Sequence, residues 1–513
     1  YGITGNIDFK NNAGLLSLTG TGISGNVDST SGSNGTLQFT GTSNALVVGT
    51  IGPTNPLAEV KFSGTTPVAI PTARANQFTI ENAGANVKAS GLLTGNVVYN
   101  TSGIVSANAG ITGNANFAGN SGTLNLAAGK TITGTVDNTG TTANKGTLNI
   151  TGGTVTGAVG STNPLNTVTF NAGTSSLGST ARASNFTVNS ATAAVTATGL
   201  LTGTVGFAVG GTLTASSGIT GAVTTATNNT GTLNVAGGVT GAIASPGLAL
   251  KVVQLNSGTY TLGSTANATN FTVNSATATV TATGLLTGAV DFTASGTLTA
   301  GGGITGNVNF AGQSGTLNLA AGQLITGNVD NTGATANRGT LVFLGNTSSA
   351  TGTIGATNPL AMVSFNGAGA INVPNNARSA VFNVGNAAAN VTAGQLITGN
   401  VKYTAAGTFN ANAGINGAVI TTTSNTGRLT LVGTVTGGIG GVGLFLQAVE
   451  FNAGASRLIG AAYVQNCTVK SAAATVQIGQ FFGNINFDAA GTITIYGITG
   501  NIDFKNNAGL LSL

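Results

Sequence analysis

The chain has 513 residues, of which 83 are glycine and 41% are hydrophobic, but only 5% carry a charge. Fifteen basic and ten acidic side chains leave a net charge of +5, scattered singly with no basic run to follow a phosphate backbone, so nucleic acid is not an expected partner. No histidine, a single cysteine and no apolar run near 18 residues exclude His-dependent catalysis, an internal disulfide and a membrane-spanning helix in this stretch.

Residues 1–18, YGITGNIDFKNNAGLLSL, recur unchanged at 496–513, an offset of 495. The chain therefore reads as one period of a tandem array and the start of the next copy, and the array is expected to continue in both directions. Within the period, units open on Ile-Thr-Gly or Ile-Asn-Gly and run over 3–110, 111–218, 219–303, 304–414 and 415–497. Units 219–303 and 415–497 are shorter by about one segment; the long ones carry an extra stretch such as 132–154. Loss of a segment with its neighbours intact is the behaviour of stacked coils, not of a globular core, so 1–513 is expected to be a single continuous solenoid.

Unit 111–218 divides in chain order into segments of 21, 23, 24, 23 and 17 residues, and similar cutting gives 23 segments per period, about 21.5 residues each. Each segment holds short runs of period-two alternation (NANF, GTLNL, NTVTF, NFTV, AAVTA), punctuated by Gly, Asn and Ser. No stretch sustains a helical apolar stripe, so no helix is expected. These features predict an all-β, right-handed parallel β-solenoid of about 23 coils per 495-residue repeat, each coil pairing with those above and below. The smallest coils fit three sides, and longer ones bulge at loops such as 138–146.

Inward Ile, Val, Leu and Phe (Ile7, Leu148, Ile150, Val329) are expected to stack on their own kind. Glycine before the recurrent Asn6, Asn96, Asn114, Asn307, Asn328 and Asn400 suits a sharp corner, and the asparagines suit amide ladders. Asn-Pro-Leu at 55–57, 163–165 and 358–360 places proline at a corner just before a strand.

Little in this pattern carries chemistry. The ten carboxylates fall about one per coil or fewer, so no catalytic pair, cofactor site or metal site is expected, and the chain is read as not an enzyme. Asp28, Asp137 and Asp330 share a Gly-x-Val-Asp context and are read as turn caps. Lys145 and Arg338, eight residues after the latter two, are read as their exposed ion-pair partners, with calcium binding the sharper alternative. Arg74, Arg182 and Arg378 recur before a strand and are replaced by Asn267 in one unit, which fits a solvated corner. Cys467 occupies the place of Phe186 and Phe271 and reads as a small buried apolar residue. Thr-x-Thr runs lack the constant position that an ice-binding face requires.

The segments GNVDNTG (327–333, and the similar 134–140), GTLNL and IGATNPLAMVSFNG (354–367) resemble passenger domains of bacterial autotransporters, most closely the rickettsial outer-membrane surface antigens of the outer membrane protein B type. That resemblance implies an exported cell-surface chain acting as adhesin, coat or fibre, and carries over no functional residue. The expected function is an extracellular structural fibre or surface filament, with end-to-end copies of the repeat, lateral self-association or a host surface as partners. The alternative is an adhesin that binds a receptor or glycan through loops such as 144–147 and 337–340.

Overall fold

A computed structural model describes residues 2–20, 22–41, 45–505 and 507–513. It is an all-β parallel β-solenoid of about 27 turns, with no helix among the described residues. Two compact units, Tyr1–Gln254 and Leu255–Leu513, are built on the same rules.

The period-two alternation becomes strands with one face in the core. In Thr123–Leu126 the threonine and asparagine face out, while Leu124 and Leu126 are buried. Each inward residue stacks on its counterpart one turn away: Val105, Leu124, Leu148 and Val168 form one such ladder. A turn carries three ladders. In the turn that starts at Leu93, Leu93 pairs with Ile111, Val97 with Ala115 and Val105 with Leu124. The step along a ladder varies: it is 18 residues from Leu93 to Ile111 and 24 from Leu124 to Leu148. The longer step is taken up by the exposed loop around Thr141–Asn144, the bulge anticipated from the sequence.

Corners need backbone without a side chain. Gly95 and Gly113 adopt φ of 137° and 146°, and a Cβ on either would strike the carbonyl oxygen of Ala75 or Gly95 on the neighbouring turn. Pro56, Pro164 and Pro359 stand immediately before the strands Leu57–Phe62, Leu165–Ala172 and Leu360–Phe365, where no ladder N–H is required.

The opening motif of successive units does not return to the same ladder. Ile3 stacks on Ile23, which is bridged to Val47, whereas Ile111 belongs to the next ladder along the coil, through Leu93, Ala73, Ile51 and Val27 to Ile7. Ile219 likewise stands not with Ile111 but one side on, through Leu201, Ala181, Val159 and Val136 to Ala115. In the second compact unit Ile415 joins the ladder of Val308 rather than that of Ile304, and Ile498 that of Val419 rather than Ile415. Each of these four units is a whole number of turns plus one of three sides. Cutting the sequence from motif to motif therefore misses a third of a turn in each of these units, which is why 23 coils per repeat undercounts the turns.

Candidate functional site

The polar residues singled out in the sequence mostly bind one turn to the next. Asp28 Oδ2 accepts the Thr54 hydroxyl at 2.6 Å and its Oδ1 accepts the Thr54 amide at 3.1 Å. Asp330 holds Thr357 in the same way, at 2.7 and 3.0 Å. Asp137 accepts the hydroxyls of Ser161 and Thr162 at 2.8 and 2.7 Å and the amide of Asn138 at 2.8 Å. They are turn caps that reach across turns. The expected ion pairs are not formed: Lys145 Nζ lies 3.4 Å from Ser121 Oγ, and Arg338 Nη1 donates to Ser314 Oγ at 2.8 Å. The long loops carry these cations back toward the preceding turn, while the carboxylates are already saturated by hydroxyl and amide donors.

Burial alone would raise the pKa of Asp137, but the hydrogen bonds from Thr162, Ser161 and Asn138 outweigh it and hold the carboxyl below its ordinary value. The stabilisation is thus present above about pH 3.9, the unfolded-state value, and is lost as pH falls through the lower folded-state value. Asp137→Asn is expected to cost about 1–3 kcal/mol near neutral pH. Urea titrations of both proteins should differ at pH 6 and converge toward pH 2; parallel curves across that range would contradict the assignment.

The arginines are corner pins. Arg182 Nη1 donates to the carbonyl of Ser161 at 3.0 Å, Arg378 Nη1 to Ala356 at 2.7 Å and Arg74 Nη1 to Pro53 at 3.2 Å, all beside the Asn-Pro-Leu corners. The asparagines after the corner glycines do not form the expected amide ladders. Asn26 Oδ1 accepts the Thr50 amide, Asn114 Oδ1 the Thr135 amide and Asn328 Oδ1 the Thr353 amide, each at 2.8–2.9 Å. The side chain bridges to the N–H of the next turn at a corner, where glycine bends the backbone out of the ladder. Amide–amide contacts occur on the flat sides instead, as between Asn149 and Asn125 at 2.8 Å.

Cys467 is fully buried between Val449 and Ile485, and burial pushes its thiol up to about 12. A thiol reagent is expected to leave the folded protein unlabelled and to modify one cysteine per chain once denaturant is added. Labelling of native protein at the rate of free cysteine would contradict this. No group of three or more metal-ligating Cys, Asp or Glu side chains occurs among the described residues. Nor is any helix among them long and apolar enough to cross a membrane.

One region departs from the Thr/Asn/Arg surface. Across the corner pair that holds Arg74 and Thr94, Arg182 and Thr202, or Arg378 and Thr398, the last unit places Tyr463 and Phe482. Their rings stack at 4.5 Å and 5°, and Phe445 meets Tyr463 edge-on at 5.8 Å. On the adjoining side, a groove of about 340 Å³ runs over Thr434, Arg457, Thr475, Gln477, Thr492 and Thr494. A neighbouring hollow of about 200 Å³ is bordered by Ile459 and Tyr496, and Tyr496 is 79% exposed. The sequence reading passed over this cluster. Its signal was legible as aromatic residues at positions that are polar in sister units. A groove of similar volume near Val209, Asn229 and Lys251 has no such hollow with a tyrosine on its rim in its lining.

No family model, curated protein or solved structure matches the chain.

Proposed function

We propose that the chain is a non-enzymatic structural element of a bacterial surface: a stretch of an extracellular fibre or filament, assembled from tandem 495-residue repeats wound as a right-handed solenoid. The observation that carries this reading is where the polar side chains go. Asp28, Asp137, Asp330, Arg74, Arg182, Arg378 and the corner asparagines are engaged in joining consecutive turns, the arrangement a load-bearing rod requires. The exact recurrence of 1–18 at 496–513 supports growth by duplication, which extends length one whole period at a time. The likeness to autotransporter passengers supports export to the cell surface. At about 4.8 Å per turn, one 495-residue period advances roughly 120 Å.

Extraction from the native source under denaturing conditions, followed by electron microscopy, tests the proposal. The expected result is a species far above 49.4 kDa and stiff filaments with that axial repeat. A discrete species of that mass would overturn the tandem chain, and recovery from the cytoplasm would overturn the surface assignment. The adhesin reading is supported by the outward, half-buried aromatic cluster around Tyr463 and Phe482, since a purely structural rod has no need of rings on its outer face.

A further inference from the structure

We propose that the groove over Thr434–Thr494, with the adjoining hollow that Tyr496 borders, binds a linear polysaccharide that carries uronate carboxylates. The site lies on the sheet face of the last unit, not on the loops, and the proposal does not rest on the fibre reading.

Successive rungs set the floor. Thr434 pairs with Arg457, Arg457 with Gln477 and Gln477 with Thr494, so four polar side chains stand in one outward row. A second row, Ala455, Thr475 and Thr492, runs beside it. Between these positions Ser456, Val476 and Ile493 turn inward and are buried, which fixes the orientation of the outward chains. Four rungs about 4.8 Å apart span about 14 Å, room for about three sugar residues in extended form.

The wall chemistry matches a sugar acid. A pyranose presents an apolar C–H face that stacks on an aromatic ring, and Tyr496 offers one: it lies two residues beyond Thr494 on the same strand and borders the adjoining hollow, which shares Arg457 and Gln477 with the groove and has Ile459 on its rim. Threonine hydroxyls and the Gln477 amide supply paired donors and acceptors for ring hydroxyls. Arg457 supplies the charge. The neighbouring Arg428 and Lys470 are bound to Glu450 and Asp488, and Arg74, Arg182 and Arg378 bind corner carbonyls. Arg457 is exposed and, among the described residues, has no carboxylate within ion-pair range. A guanidinium that is free on a groove floor donates two parallel N–H bonds to a carboxylate.

Calorimetric titration of the full chain with hexagalacturonate, and with cellohexaose as the neutral counterpart, tests the site. Hexagalacturonate is expected to bind about ten-fold more tightly than cellohexaose, and its binding is expected to weaken in raised salt. Arg457→Gln and Tyr496→Ala are each expected to weaken it about ten-fold, while Lys145→Gln leaves it unchanged. Arg457 and Tyr496 are exposed and Lys145 is half-buried at a loop, so the variants keep the fold, which circular dichroism verifies. No binding to the parent chain, equal binding of the two hexamers, or affinity unchanged in the Arg457→Gln, Tyr496→Ala double variant would each overturn the proposal. None of these results bears on filament formation.

Discussion

Replacing Phe170 by alanine is expected to destabilise the solenoid by about 3–5 kcal/mol, among the largest effects of any single side chain. Phe170 is 1% exposed and stands in a ladder between Ile150 and Val188, both fully buried. The core of a three-sided coil is narrow, so a lost ring leaves a cavity that the two adjacent turns line and cannot close without moving their own ladders. Because each turn touches only its neighbours, the damage should be local. Hydrogen exchange is expected to accelerate over the strands Thr147–Thr151, Leu165–Ala172 and Ala181–Val188 and to remain slow near Leu93–Tyr99. Uniform loss of protection along the whole chain would show that the turns do not behave as a nearest-neighbour stack.

Removal of residues 132–154 is expected to leave a folded protein. Those residues make one full turn: Ile132 stacks on Ile111 and Val155 on Ile132, and Leu148 lies between Leu124 and Val168. Their excision brings Val155 onto Ile111 and Val168 onto Leu124, like on like in every ladder. Removal of 132–142 alone should be far worse. It takes away Ile132 and Val136 and leaves a stretch between Thr131 and Leu148 too short and too polar to supply both ladders. Thermal melting by circular dichroism separates the two: a shift of a few degrees is expected for the first variant, and for the second an added early transition from the turns around the cut, ahead of the rest of the stack. Equal damage in both would refute a stack in which register is kept turn by turn.

Much of this architecture was legible in the primary structure. Period-two alternation in GTLNL and NTVTF gave the strands, and the place of proline in Asn-Pro-Leu gave the corners, because both depend on local backbone and side-chain direction alone. The partners of Asp137, Lys145 and Asn114 were not legible. Each reaches a residue 21 to 25 positions away, and that distance is set by how many residues the intervening corners consume. The aromatic cluster at Phe445, Tyr463 and Phe482 was visible as letters, but only the pairing of Ala462 with Phe481 shows that Tyr463 and Phe482 share one outward column.

The sequence by itself determined the fold class, the corner positions and the lack of histidine and scarcity of charge, since composition and periodicity constrain these without reference to distant residues. Only the tertiary structure decided the phase of the repeat. Ile111 lies one side on from Ile3, and Ile415 one side on from Ile304, because the length of a unit is whole turns plus a third. A sequence motif marks a corner and its strand, and the three sides of a coil offer equivalent corners. Which side a corner occupies is fixed by the sum of all loop lengths before it, a quantity that exists only once the ladders have formed.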